Sequence, residues 1–195
     1  NFRQAGFAYT TNGGTRWIAP GVLQNNVFRS DPVLNSDTTG RFFYLSLLQN
    51  FFVDLWRSLT GGQSWTMVGQ ADGGDKQWFT IDNTNSSGHG FQYQSWSTDG
   101  NNFGGRQFSR STNDGLTWMN PINIPNIPRW GTLDVDSNGN LFIGGVNLDT
   151  GQIWCVRSTN AKNGAVVPTF DQSTAVNLGG QIVFGESINP EGLVG

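Results

Sequence analysis

The residues best suited to chemistry are three aspartates that recur near the starts of strand-like runs, Asp31, Asp75 and Asp134. Two carboxylates held roughly 5 to 9.5 Å apart can hydrolyse a glycosidic bond. Asp75 opens the segment DKQW, where Lys76 adds a cation and Trp78 an aromatic face on which a sugar can stack. Because aspartate also begins strands and turns for structural reasons, catalysis, ligand binding and a purely structural role all remain open.

A second group of candidates follows the proline-rich segment 124–128. Arg129 and Trp130 stand directly before an apolar run that predicts a strand. A loop leading into a strand lies at the rim of a sheet, where an indole and a guanidinium can contact a ligand. Core packing is the alternative for Trp130. The complete predicted ligand-binding set is Asp75, Lys76, Trp78, Arg129, Trp130 and Asp134.

Metal sites and other catalytic groups have little support in the sequence. Residues 134–140 read DVDSNGN and match the start of a calcium loop, but its twelfth position holds Gly145 where the loop needs a bidentate glutamate. We therefore expect a hairpin turn, no metal and no cofactor, with calcium as the open alternative. His89 is the only histidine and Cys155 the only cysteine, so a Ser-His-Asp triad finds little support and an intrachain disulfide is excluded.

Composition narrows the class of protein. The net charge is −3 and only 13% of residues are charged, with no basic run, so we expect no nucleic-acid partner. No apolar stretch approaches the roughly 20 residues of a membrane helix, so we expect no membrane span. Low charge with abundant Asn, Thr and Gly is typical of a secreted or cell-surface protein.

One short motif recurs along the chain: TTNGGTRW, SLTGGQSW and STNDGLTW, with a shortened fourth copy from Ser158. The copies stand roughly fifty residues apart, a period typical of propeller blades. Each places a hydroxyl residue first, glycine four residues later and tryptophan last. The matching positions are Thr10, Asn12, Gly14 and Trp17; Ser58, Gly62, Ser64 and Trp65; and Ser111, Asn113, Gly115, Thr117 and Trp118.

A second repeat gives the strand pattern within each period. Residues 33–47 align without gaps to residues 132–146, and each reads strand, Asp-x-x-Gly turn, strand, as in a hairpin. The sequence therefore predicts an all-β fold, a β-propeller of four-stranded antiparallel blades in one domain spanning 1–195. The predicted boundaries are a partial blade 1–25, blades 26–72, 73–126 and 127–180, and a partial blade 181–195.

The recurring motif resembles the Asp-box, or BNR repeat, of sialidase-superfamily β-propellers, which lies at the turn between the third and fourth strands of a blade. The resemblance covers nearly the whole chain. Here the aspartate position holds Asn12, Thr60, Asn113 and Asn160. We expect the box to fasten the fold: glycine permits the turn, short polar side chains bond turn amides, and the tryptophans pack between neighbouring sheets.

The resemblance also implies a catalytic set that this chain matches poorly. Sialidases use three arginines, a Tyr–Glu pair and an acid/base aspartate; the nearest arginine phrase is VFRSDP, with Arg29, where proline comes one residue late. Arg57, Arg110 and Arg157 precede the boxes, and we expect them to form surface or inter-blade pairs. The weak catalytic candidates are therefore Arg29, Asp31 and Asp75.

Three functions remain open. The chain is predicted to be an extracellular sialidase-like module that binds a glycan or protein without catalysis, or a structural segment. The alternative is a glycoside hydrolase of sialidase type with catalytic residues partly outside the segment. The partial ends are complementary, so the chain could close alone into four blades or pair as a homo-oligomer. We favour a third arrangement, one segment of a longer chain.

Overall fold

The computed structural model describes residues 3–179 as thirteen β-strands with no helix, which confirms the all-β prediction. Within those residues, no helix is long and apolar enough to cross a membrane. The strands are β1 (Gly6–Tyr9), β2 (Ile18–Val22), β3 (Ser30–Ser36), β4 (Phe42–Leu47), β5 (Val53–Ser58), β6 (Thr66–Ala71), β7 (Trp78–Ile81), β8 (Gln92–Ser95), β9 (Phe108–Ser111), β10 (Arg129–Val135), β11 (Leu141–Asn147), β12 (Gln152–Ser158) and β13 (Gln172–Val176).

The strands form four antiparallel sheets in which each strand pairs with the next along the chain. Sheet I is β1–β2, sheet II is β3–β6, sheet III is β7–β9 and sheet IV is β10–β13. Sheets II, III and IV occupy the predicted segments 26–72, 73–126 and 127–180, and sheet I the segment 1–25. The predicted partial blade 181–195 lies outside the described residues.

Sheet III has three strands where four were expected. The run WMNPINI was predicted to form the fourth, but only an isolated bridge between Phe108 and Ile122 forms there. Pro121 lies inside this run, and proline has no N–H to donate to a strand ladder. Ile122 still exchanges backbone hydrogen bonds with Phe108, at 2.9 and 3.2 Å.

Consecutive sheets pack face to face through apolar clusters. Burial of each Val, Leu, Ile or Phe side chain contributes about 1.5–3 kcal/mol, so these clusters hold the sheets together. Sheets II and III share Val33, Phe43, Leu45, Leu47, Val53, Leu55, Phe79 and Ile81. Sheets III and IV and their loops share Tyr93, Phe108, Ile124, Leu133, Leu141, Ile143, Val156 and Ala161. Sheets I and II meet through Ala5, Phe7, Leu23, Tyr44, Trp56 and Trp65.

The first strands of successive sheets lie side by side. Strand β7 contacts β3 on one side and β10 on the other. Each of these strands is the first strand of its sheet in sequence order, so β3, β7 and β10 form one line of neighbouring first strands. The residues that lead into β3, β7 and β10 are therefore brought to one end of that line.

The box motifs lie at the predicted turns. In each of the three full copies the first hydroxyl oxygen accepts a hydrogen bond from the glycine N–H four residues later. The distances are 3.1 Å for Thr10 and Gly14, 2.9 Å for Ser58 and Gly62, and 2.9 Å for Ser111 and Gly115. The first hydroxyl therefore closes each turn in the same way.

The residue at the aspartate position closes the other half of the turn. The side-chain oxygens of Asn12, Thr60 and Asn113 each accept from the N–H four residues later, at 2.9, 3.0 and 2.9 Å. In the shortened copy Asn160 accepts from the N–H of Thr169 at 2.8 Å. An amide or hydroxyl oxygen thus replaces the carboxylate as acceptor, which explains why the turns form without aspartate.

Two of the three box tryptophans pack between sheets as expected. Trp65 makes edge-on ring contacts with Phe7 of sheet I and Tyr44 of sheet II, at centroid distances of 6.2 and 5.6 Å. Trp118 packs against the cluster shared by sheets II and III. The prediction is wrong for Trp17, which is 62% exposed. The Trp65 indole lies against the preceding sheet I, whereas sheet I is itself the first sheet in the described chain.

Candidate functional site

The segments that lead into β3, β7 and β10 share a strained backbone. Asp31, Lys76 and Trp130 have φ angles of 45°, 54° and 55°. Residues other than glycine rarely adopt this left-handed conformation, which costs about 1–3 kcal/mol and is frequent at functional sites. In strands β3 and β10 this residue lies within a bulge. The repeated distortion marks this end of the molecule, hereafter the lead-in end, as the candidate site.

Two of the predicted carboxylates meet at the lead-in end. The pKa of Asp75 is raised, first by burial and then by the charge of Asp31 and a hydrogen bond with it, while Lys76 acts in the opposite sense. Asp31 accepts hydrogen bonds from the Ser30 hydroxyl at 2.8 Å and the Lys76 N–H at 3.2 Å. Both carboxylates are half-buried, and Lys76 is exposed. The pair can therefore share a proton or bind a polar ligand.

Gln77 fixes the start of sheet III relative to the start of sheet II. Its amide nitrogen donates to the backbone carbonyl of Asp31, which joins the two sheets beside the carboxylate pair. The Gln77 side chain is buried, and sequence reasoning did not identify it. The only sequence feature that could have indicated Gln77 is its position between Lys76 and Trp78, two residues that were already predicted to bind a ligand.

The loop 97–101 connects the carboxylate pair to the start of sheet IV. The Asp75 N–H donates to the Gly100 carbonyl at 2.8 Å, and the Ser97 N–H donates to the Asp75 carbonyl at 2.9 Å. Within the same loop Asp99 forms an ion pair with Arg129 at 2.7 Å. The predicted residue Arg129 is thus engaged by Asp99, a residue the sequence did not single out.

The two predicted aromatic residues have different surroundings. Trp78 is the first residue of β7 and is 43% exposed, so its ring is available to a ligand beside Lys76. Trp130 is half-buried within the bulge that opens β10. Trp78 is therefore the better stacking surface at the lead-in end.

Asp134 lies apart from this group. It is four residues beyond Trp130 along β10, about 13 Å at the usual rise of a strand. It is exposed, and its carboxylate accepts from the adjacent Val135 N–H at 2.8 Å. The aspartates therefore separate into a pair at the lead-in end and one residue near the opposite turn.

The calcium-loop segment forms a hairpin turn. The Asp136 carboxylate accepts from the N–H groups of Asn138 and Asn140, both at 2.9 Å. Asp37 accepts from the N–H groups of Thr39 and Arg41 in the same way in sheet II. Across residues 3–179, three or more His, Cys, Asp or Glu side chains do not gather as a metal site would need.

Arg29, the weak candidate for a substrate arginine, is buried and occupied. Its guanidinium pairs with Asp54 at 2.6 Å, donates to Gln24 at 2.7 Å and stacks over Trp56 with the cation 5.4 Å from the ring centroid. These contacts tie the segment before β3 to β5. The arrangement favours a structural role.

The arginines beside the boxes also serve packing. Arg110 donates to the backbone carbonyls of Ala161, Asn163 and Val166, at 2.7, 2.9 and 2.9 Å, and thereby crosses from sheet III to the loop before β13. Arg157 pairs locally with Asp171 at 2.6 Å. Both contacts fit the expected surface and inter-sheet pairing.

Comparison with known proteins adds no relative to this description. No protein-family model matches the chain, and no curated protein matches it. The assignment of a function therefore depends on the residues at the lead-in end.

Proposed function

We propose that the chain is part of an exported, sialidase-like β-propeller that recognises a glycan without hydrolysing it. The propeller is supported by the sequential antiparallel sheets, by the side-by-side first strands and by box motifs at the turns before the last strands. In this proposal sheets II, III and IV are successive blades. The loops that lead into them face one end of the propeller axis.

The observation that carries the binding proposal is the group Asp31, Asp75, Lys76 and Trp78 at the starts of two adjacent sheets. Half-buried carboxylates accept hydrogen bonds from sugar hydroxyls, and an ammonium group donates to them. The exposed indole of Trp78 offers an apolar face for a sugar ring. A few convergent polar groups beside an aromatic surface are typical of small-ligand sites.

A glycoside hydrolase is the second candidate, and the carboxylate pair favours it. A raised pKa, as at Asp75, is what a general acid requires. Against hydrolysis, Arg29 is committed to Asp54 and cannot hold a substrate carboxylate. We therefore place recognition ahead of hydrolysis.

Screening the chain on a glycan array and against a fluorogenic sialoside separates the two functions. We expect binding to one glycan class with no release of the fluorophore. Trp78→Ala and Lys76→Ala each weaken binding at least about tenfold, since each removes one direct contact. Leu116→Ala, an exposed apolar control in a box turn, leaves binding unchanged. Turnover that disappears in Asp75→Asn would favour the hydrolase, and absence of any glycan ligand would reject both.

A further inference from the structure

The face of sheet IV that points away from sheet III resembles the face of sheet II on which sheet III packs. In sheet II, Leu45 pairs with Leu55 and Leu47 with Val53, and these side chains cover sheet III. Strand pairing puts Gly144 opposite Cys155 and Val146 opposite Ile153 at the corresponding places of sheet IV. We call this surface the back face of sheet IV: Phe142, Val146, Ile153, Cys155, Thr174 and Val176.

The apolar residues of the back face of sheet IV lie beside Asp134, Arg157 and Gln172, which share the same side of the sheet, and the face is only partly covered. Val146 is buried, Phe142, Ile153, Cys155 and Val176 are half-buried, and Thr174 is exposed. In sheet II, by contrast, the side chains at these positions are fully or almost fully buried, because sheet III packs on them. The face of sheet IV therefore has the chemistry of a sheet–sheet interface.

The opposite end of the chain carries the other half of the same interface. Trp118 of sheet III packs against the apolar cluster shared by sheets II and III, and Trp65 of sheet II packs on Phe7 of sheet I. Trp17 occupies the same box position in sheet I but is 62% exposed. Sheet I thus presents an exposed indole, Trp17, that no neighbouring sheet in the described part of the chain covers. The surface that such an indole would pack on is the partly exposed back face of sheet IV.

We propose that two copies of this chain associate head to tail, with Trp17 of one copy packed on the back face of sheet IV of the other. Within residues 3–179 the chain does not satisfy the contact alone, because Trp17 and Thr174 are both exposed in it. Each copy carries both halves of the interface, Trp17 and the back face. A second copy can therefore supply Trp17 to the back face of the first. Two such contacts close a two-copy ring, in which every Trp17 and every back face is covered; a head-to-tail contact that did not close would add further copies as a filament. This proposal is independent of the glycan site.

Sedimentation velocity over a range of protein concentrations tests the association. The wild-type chain dimerises, and Trp17→Asp raises the dissociation constant at least about 30-fold, the effect of losing a central interface aromatic. Thr174→Arg does the same from the other half, at an exposed position where folding tolerates the change. Leu116→Asp is the matched control, because Leu116 is 63% exposed in the box of sheet III. Circular dichroism establishes that every variant is folded.

Mixing the two interface variants tests the head-to-tail geometry. The Trp17→Asp chain keeps an intact back face, and the Thr174→Arg chain keeps an intact Trp17. Each is monomeric alone, and together they form a one-to-one complex through the one intact contact. The Cys155 thiol of the Trp17→Asp chain reacts slowly with a thiol reagent in that complex and rapidly in the monomer. The Cys155 thiol of the Thr174→Arg chain reacts rapidly in both, because no Trp17 covers its back face.

Three results would overturn the proposal. The first is a wild-type chain that stays monomeric at high concentration, and a protected Cys155 in that monomer would show that another part of the chain covers the face. The second is a dimer that both variants leave intact. The third is a mixture of the variants that remains monomeric.

Discussion

Alanine substitutions of two box glycines separate two contributions to stability: the backbone strain of an alanine in the turn, and the overpacking of a methyl group in the interface between two sheets. Gly14 and Gly115 have φ angles of 88° and 81°, so an alanine at either position meets the same backbone strain, about 1–2 kcal/mol. At Gly14 the added methyl carbon approaches only Trp17 Nε1, at 3.9 Å. We therefore expect Gly14→Ala to lower the free energy of unfolding by about 1–2 kcal/mol.

At Gly115 the methyl carbon enters the interface of sheets II and III. It overlaps the Leu55 side chain and lies 2.8 Å from Gln92 Oε1. Leu55 and Gln92 are both fully buried, so neither has room to move aside. Overpacking of this kind costs about 1–3 kcal/mol beyond the strain. We expect Gly115→Ala to lower the free energy of unfolding by about 2–5 kcal/mol.

Urea unfolding monitored by tryptophan fluorescence measures both values, with the slope of the transition as a test of two-state behaviour. The loss of unfolded-state entropy offsets part of each cost, but equally at the two sites. Equal destabilisation by Gly14→Ala and Gly115→Ala, within about 0.5 kcal/mol, would refute the packing of the box of sheet III against sheet II.

Three further substitutions probe charged groups, each by urea unfolding. Arg29→Met leaves Asp54 buried without its partner and lowers the free energy of unfolding by about 3–5 kcal/mol. The double variant Arg29→Met/Asp54→Leu regains most of this loss, because no unpaired charge is left buried. A double variant as unstable as Arg29→Met would contradict the pairing of these two residues. Asp114→Asn breaks a partly exposed ion pair with Arg41 and costs about 1 kcal/mol or less, and a larger loss would contradict that exposure. The raised pKa of Asp75 means that the stability of the wild-type chain falls as the pH rises through the folded-state pKa of this carboxyl group. We therefore expect Asp75→Asn to be more stable than wild type at pH 7 and equally stable below about pH 4, where Asp75 is protonated in both the folded and the unfolded chain. A difference in stability that persisted at low pH would contradict this.

Local sequence signals predicted the strands and turns well. The hairpins of sheets II and IV were visible because an Asp-x-x-Gly turn between apolar runs has few alternatives, and Asp37 and Asp136 brace those turns. The boxes were visible because glycine and hydroxyl residues recur in one frame. Their hydrogen bonds are local, so a sequence pattern can specify them.

Long-range features were less accessible. The contact of Asp31 with Asp75 depends on how sheet III is offset against sheet II, which no local pattern encodes. The exposure of Trp17 depends on the position of sheet I in the stack, although its motif matches that of Trp65. The positive φ angles at Lys76 and Trp130 could not be predicted, because neither position holds the glycine that usually indicates such a conformation.

The most direct test of recognition at the lead-in end is a crystal structure of the chain bound to the glycan that the array identifies. We expect a sugar ring on the indole of Trp78, with its hydroxyls bonded to Asp75 and Lys76 and its glycosidic bond intact. A glycan bound at the box turns, or at any surface remote from Trp78, would contradict the account.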